Sequence, residues 1–140
     1  MVRLTFICAL LLFSAFSCSK EDEETIDPLE KYPAYITSVT APETATVGTT
    51  VPIKINFSVN NSCGEFKKFE VDEQEDATHI QVYPKYKTDQ VCLMYIPIRE
   101  VTYEFKPTEP GTYVFKFSPV YPEETITKTI VVGEVATSKQ

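Results

Sequence analysis

The side chains able to attack a bond, bind a metal or take up a proton near neutrality are few: four cysteines and a single histidine, His79. Nucleophilic catalysis needs a serine or cysteine beside a base, with a third group to orient that base. No Gly-x-Ser-x-Gly run is present to expose such a serine. His79 stands in an alternating stretch beside Ile80 and Val82, which reads as a surface position on a strand. Carboxylates are plentiful, and Glu70, Asp72, Glu73, Glu75 and Asp76 crowd into one segment. A calcium loop needs oxygens at set spacings and a glycine for its sharp turn. This segment has no glycine and no Asp-x-Asp-x-Asp order, so it reads as a solvated connection. Glycoside hydrolysis needs two carboxylates made different by their surroundings, and nothing singles out such a pair. The expectation is no catalytic residue, no metal and no cofactor.

The cysteines carry the remaining chemistry. Cys18 closes an apolar leader in which Arg3 supplies a positive start and residues 4–16 are interrupted only by Thr5, Cys8 and Ser14. A membrane span needs roughly 20 apolar residues, so this shorter run reads as the apolar region of a secretory signal. The sequence Ala15-Phe16-Ser17-Cys18 resembles the lipobox of bacterial lipoproteins, with Phe16 bulkier than the residue usual at that place. The resemblance implies a signal peptide over residues 1–17, cleavage ahead of Cys18, and diacylglyceryl and palmitate-type chains on that thiol. The following Ser19-Lys20-Glu21-Asp22-Glu23-Glu24 resembles the export signal of Bacteroidota lipoproteins. It implies the outer face of the outer membrane, with a periplasm-facing placement as the alternative. Several acyl chains hold a protein well, each buried CH₂ contributing about 0.8 kcal/mol.

Loss of the leader removes one of the 13 basic residues and none of the 20 acidic ones, leaving a net charge of −8. Nucleic-acid binding is therefore not expected, because phosphates would be repelled. The same sign disfavours approach to anionic headgroups, and the expectation is that the tether holds the domain away from them. With Cys8 in the leader and Cys18 committed to lipid, Cys63 and Cys92 remain as an even pair in an oxidising compartment. They read as one disulfide, stabilising by roughly 3–4 kcal/mol on the chain-entropy relation.

Elements of period two must position these groups. Residues 18–33 are acidic, without apolar period, and read as a flexible tether. From residue 34 the pattern alternates. Tyr35, Thr37 and Val39 are expected on one face of a first strand, with Ile36 and Ser38 opposite. Val51, Ile53, Ile55, Phe57 and Val59 form the clearest inward face, against Pro52, Lys54, Asn56 and Ser58. Residues 60–64 make a turn. Further strands are expected over residues 66–71, 78–86, 91–96, 101–106, 113–117 and 125–132, and the tail 134–140 has no period. No segment shows a helical stripe.

About 7–9 short strands with turns between them predict an all-β, two-sheet antiparallel sandwich over residues 34–133. The stretch 101–117, with Gly111-Thr112-Tyr113 entering its second strand, resembles strands E and F of bacterial immunoglobulin-like domains. The resemblance implies a tyrosine corner at Tyr113, whose hydroxyl bonds back to the preceding loop. The chain departs from antibody-type domains in lacking tryptophan, and its disulfide is expected to pin a loop or sheet end. Tyr83, Lys85, Tyr86 and Arg99, with Tyr95, Tyr121 and Lys87, make the middle of the chain aromatic and basic. They read either as an exposed binding patch or as tyrosines that fill the core with their hydroxyls at its rim. Three roles remain open: a non-catalytic binding or accessory module of the envelope with a protein partner, an inhibitor of secreted peptidases using loop 60–64 or 107–111, and a surface glycan binder. In each the membrane is met through the lipid anchor.

Overall fold

A computed structural model describes residues 28–118 and 125–134; Cys18 with the expected leader before it, Tyr121 and residues 135–140 lie outside the described residues. A 3-10 turn (Pro28–Lys31) precedes strands β1 (Tyr35–Thr40), β2 (Thr44–Thr46), β3 (Val51–Ser58), β4 (Gly64–Glu73), β5 (Thr78–Tyr86), β6 (Ile98–Phe105), β7 (Gly111–Phe117) and β8 (Ile126–Gly133). They form two sheets, ordered β1-β3-β6 and β2-β8-β7-β5-β4. This is an all-β, immunoglobulin-like sandwich. Most neighbours are antiparallel, and two short ladders, β2 with β8 and β5 with β7, run parallel.

The alternation in β3 has the expected consequence: Val51, Ile53, Ile55 and Phe57, with Val59 just beyond, are buried. They meet Ile80, Val82, Phe115, Phe117, Ile130 and Val132 of the five-stranded sheet. From the facing side Tyr103 and Phe105 of β6 cross the gap. Phe69 meets Tyr103 edge-on at 5.3 Å, and Phe105 meets Phe115 at 4.9 Å.

In β1 the phase differs from simple alternation. Ile36 and Val39, three apart, are both buried, while Tyr35 faces outward. The pairing to β3 skips from Ile36 to Ser38, and the extra residue, Thr37, turns its hydroxyl to the Asn56 carbonyl at 3.2 Å. A bulge inserts one residue and so moves the next side chain across the sheet. The same device acts in β4, where the register skips Lys67 and leaves Phe66 and Phe69 together on the core side, their rings 4.6 Å apart.

Tyr113 closes the corner before β7 by donating from its hydroxyl to the Glu109 carbonyl at 2.9 Å. Of the acidic segment, the described part is fastened to the sandwich. The Glu30 carboxylate accepts from the Tyr86 N–H at 2.9 Å and from Lys67 Nζ at 2.6 Å. Ala34 N–H donates to the Val82 carbonyl at 2.7 Å, so the chain enters alongside the second half of β5.

Candidate functional site

Residues 91–96 are a loop, not the strand their apolar composition predicts. The chain here leaves β5 in one sheet to begin β6 in the other. The crossing segment passes between the sheets and joins neither. Its side chains consequently face water. Val91 is 94% exposed, Met94 89%, Ile96 70%, Leu93 64%, Ile98 61% and Tyr95 52%. Six large apolar residues in eight positions therefore remain outside the core, where isolated exposed residues would be ordinary and a contiguous patch is not.

The backbone beneath this patch is held at many points. Cys63 and Cys92 form a disulfide, with their Cα atoms 5.5 Å apart. Ser62 N–H donates to the Leu93 carbonyl at 3.0 Å, and Leu93 N–H donates to Ser62 Oγ at 2.8 Å. Val59 N–H donates to the Pro97 carbonyl at 3.1 Å. Arg99 lies behind the turn, its Nε on the Gly64 carbonyl and its Nη2 on the Ser62 carbonyl, both at 3.0 Å. The Cys63 end is buried and the Cys92 end is half-buried, so the bridge pins the loop to the end of the sandwich without crossing its centre.

The apolar surface continues beyond the loop. Ile98 pairs with Ser58, and Ser58 with Tyr35, which puts the three in one row on the outer face of the smaller sheet. Tyr35 and Tyr32, 66% exposed, border a recess of about 280 Å³ that also includes Pro33, Ser58 and Asn60. The entering chain and the stapled loop thus share one end of the molecule.

The four residues Tyr83, Lys85, Tyr86 and Arg99 are not brought together. Tyr83 and Lys85 point outward from β5, the Tyr83 ring carrying the Lys68 ammonium 5.0 Å from its centroid. Burial, and then a hydrogen bond to Glu70, pushes the Tyr83 hydroxyl above its ordinary range. Tyr86 points into the core, and its hydroxyl accepts the Asn60 N–H at 3.1 Å. Arg99 is occupied by the two carbonyls behind the loop. Alternation within β5 puts Tyr86 on the opposite face from Tyr83 and Lys85, while Arg99 reaches across to the carbonyl of Gly64, the ladder partner of Tyr86.

His79 stands opposite Asp72 in the β4–β5 ladder and, with Ser118, borders a shallow recess of about 420 Å³. The Asp72 carboxylate accepts from Gln74 Nε2 at 2.7 Å, and among the described residues no hydrogen bond joins His79 to Asp72 or Ser118. A serine–base–acid relay is not assembled there. Lys116 pairs with Asp76 at 2.7 Å, and Lys87 with Glu65 at 2.8 Å. The lysine bonds hold both carboxyls below their ordinary range.

Comparison with known families adds one finding: residues 53–132, more than half of the 140, match the ORF11 beta-sandwich domain. The chain belongs to the ORF11 beta-sandwich domain family. The matched span begins within β3 and ends in β8, so it takes in the loop 91–98 and both cysteines. No curated protein and no solved structure matches the chain. Sequence reasoning missed the loop because a continuous apolar run reads as a buried strand. The signals against that reading were the lack of alternation in residues 91–96 and Pro97 immediately after.

Proposed function

We propose that this protein is a lipid-anchored lipoprotein outside the cytoplasm whose sandwich is a non-catalytic contact module of the cell envelope. Lipid on Cys18 anchors it, and residues 91–98 are its contact surface. One observation carries the reading: six apolar side chains face water on a backbone clamped by a disulfide, an arginine and three backbone-level hydrogen bonds. Exposing such side chains is costly in water, at about 25 cal/mol per Å² of apolar surface. Holding them in one geometry lowers the entropy lost when a contact forms. Lipid at Cys18 follows from the lipobox resemblance, and the outer membrane from the acidic residues behind it.

Photo-crosslinking in intact cells tests the contact. A photoreactive phenylalanine analogue at Leu93 or Met94 is expected to give adducts with a neighbouring envelope component, and the same probe at Glu109 is not. No adduct from either loop position would refute the reading.

A further inference from the structure

We propose that the neighbour of residues 91–98 is the bilayer itself, the loop resting in the interfacial layer of the membrane that holds the lipid on Cys18. The inference depends on that anchor and names the partner of the contact surface just described.

Position is the first argument. The sandwich receives its chain at Pro28, Glu30 tying that entry to Tyr86 at the end of β5 and Ala34 tying it to Val82 at the strand's middle. The starts of β1, β4 and β6 and the ends of β3 and β5 lie at this same end, as the pairings Tyr35 with Ser58, Ser58 with Ile98 and Gly64 with Tyr86 require. The connection 87–97 between β5 and β6, which carries most of the patch, is here. Between Cys18 and Pro28 stand the nine residues 19–27. Nine residues reach at most about 30 Å when fully extended. The opposite end, with residues 107–110, lies farther off by a strand length, about 27 Å for the eight residues of β3. A sandwich held this close presents its entry end to the bilayer. A tether of this length gives a millimolar effective concentration, so weak apolar affinity is enough for docking.

Composition is the second argument. Residues 91–98 contain no charged side chain. Their exposed groups are aliphatic or thioether except for Tyr95, and the patch continues to Tyr35 and Tyr32. Tyrosine places an apolar ring against acyl chains and a hydroxyl among headgroups, which is why it is enriched at membrane interfaces. The negative charge that argued for stand-off is concentrated in the tether, at Glu21, Asp22, Glu23 and Glu24, and not on the loop. Contact through uncharged side chains does not depend on headgroup charge and survives high salt.

The absence of tryptophan makes the test clean. Leu93→Trp and, as a control at the far end, Glu109→Trp are made in the full lipidated protein. Each is reconstituted on vesicles of phosphatidylethanolamine and phosphatidylglycerol. The expected result is flotation of both proteins. Emission at position 93 moves to shorter wavelength and is quenched by lipids brominated in their tails, whereas position 109 shows neither change. The shift persists at high salt, and adding Met94→Asp to Leu93→Trp reduces it while the melting temperature is kept. Flotation with a water-like, unquenched spectrum at position 93 overturns the docking and leaves the anchor standing. A protein that does not float, with a bare Cys18 by mass spectrometry, overturns both. A position-93 shift that requires solubilised envelope protein assigns the loop to a protein partner and also overturns the docking.

Discussion

Reducing the Cys63–Cys92 bridge isolates what the staple contributes, because both sulfurs stay in place. The two residues are 29 apart in the chain. On the chain-entropy relation a closed loop of that size raises the free energy of the unfolded chain by about 3.6 kcal/mol at 25 °C. In the folded state the reduced loop keeps its other ties, the Ser62–Leu93 pair of hydrogen bonds, Val59 to Pro97, and the two Arg99 bonds. The loss should therefore fall on the unfolded side of the equilibrium. Unfolding entropy of about 2.1 cal/mol/K per residue, over a sandwich of roughly a hundred residues, converts that free energy to a fall in Tm of about 17 °C. Thermal unfolding followed by circular dichroism, with and without a thiol reductant, measures it, and Cys92→Ser checks it without reductant. A fall under about 5 °C would refute the reasoning. It would mean that the bridged loop adds little constraint to the unfolded chain.

Three further outcomes are expected. A methyl group added at Gly64 would overlap Val59 Cβ and Cγ2 and press on Tyr86 Cε1, so Gly64→Ala should destabilise by about 1–3 kcal/mol in urea unfolding. The Glu30 carboxyl is held below its ordinary value of 4.5, first by Lys67 and then by the Tyr86 N–H. A carboxyl depressed in the folded state contributes stability that is full above 4.5 and is lost as pH falls through the depressed value. Glu30→Gln should remove that part of the acid-side decline when Tm is followed against pH. Tyr113→Phe removes the hydrogen bond to the Glu109 carbonyl and should cost about 1 kcal/mol in the same unfolding assay, with the fold retained.

The sequence by itself determined the strand layers wherever burial on one face imposes period two. Residues 51–59 show this best, since every second side chain there is apolar and every one of them is buried. It also pointed to the pairing of Cys63 with Cys92, because the lipobox resemblance assigns Cys8 and Cys18 elsewhere and leaves each of these one partner. The corner at Tyr113 was legible for a local reason: hydroxyl and acceptor are four residues apart. What lies between strands was decided by tertiary structure. The bulges at Thr37 and Lys67 change which side chains face inward, and they arise from pairing to β3 and β5 rather than from local composition. Tyr86 and Arg99 have the composition of a binding surface, yet neighbours distant in sequence hold one in the core and the other behind a turn. The apolar run 91–98 shows the difference most directly. Hydrophobicity states that a segment gains by leaving water, but only the arrangement of sheets determines whether a partner surface exists within the fold. Here the segment crosses between the sheets without joining either, and the bridge and Arg99 hold it at the surface.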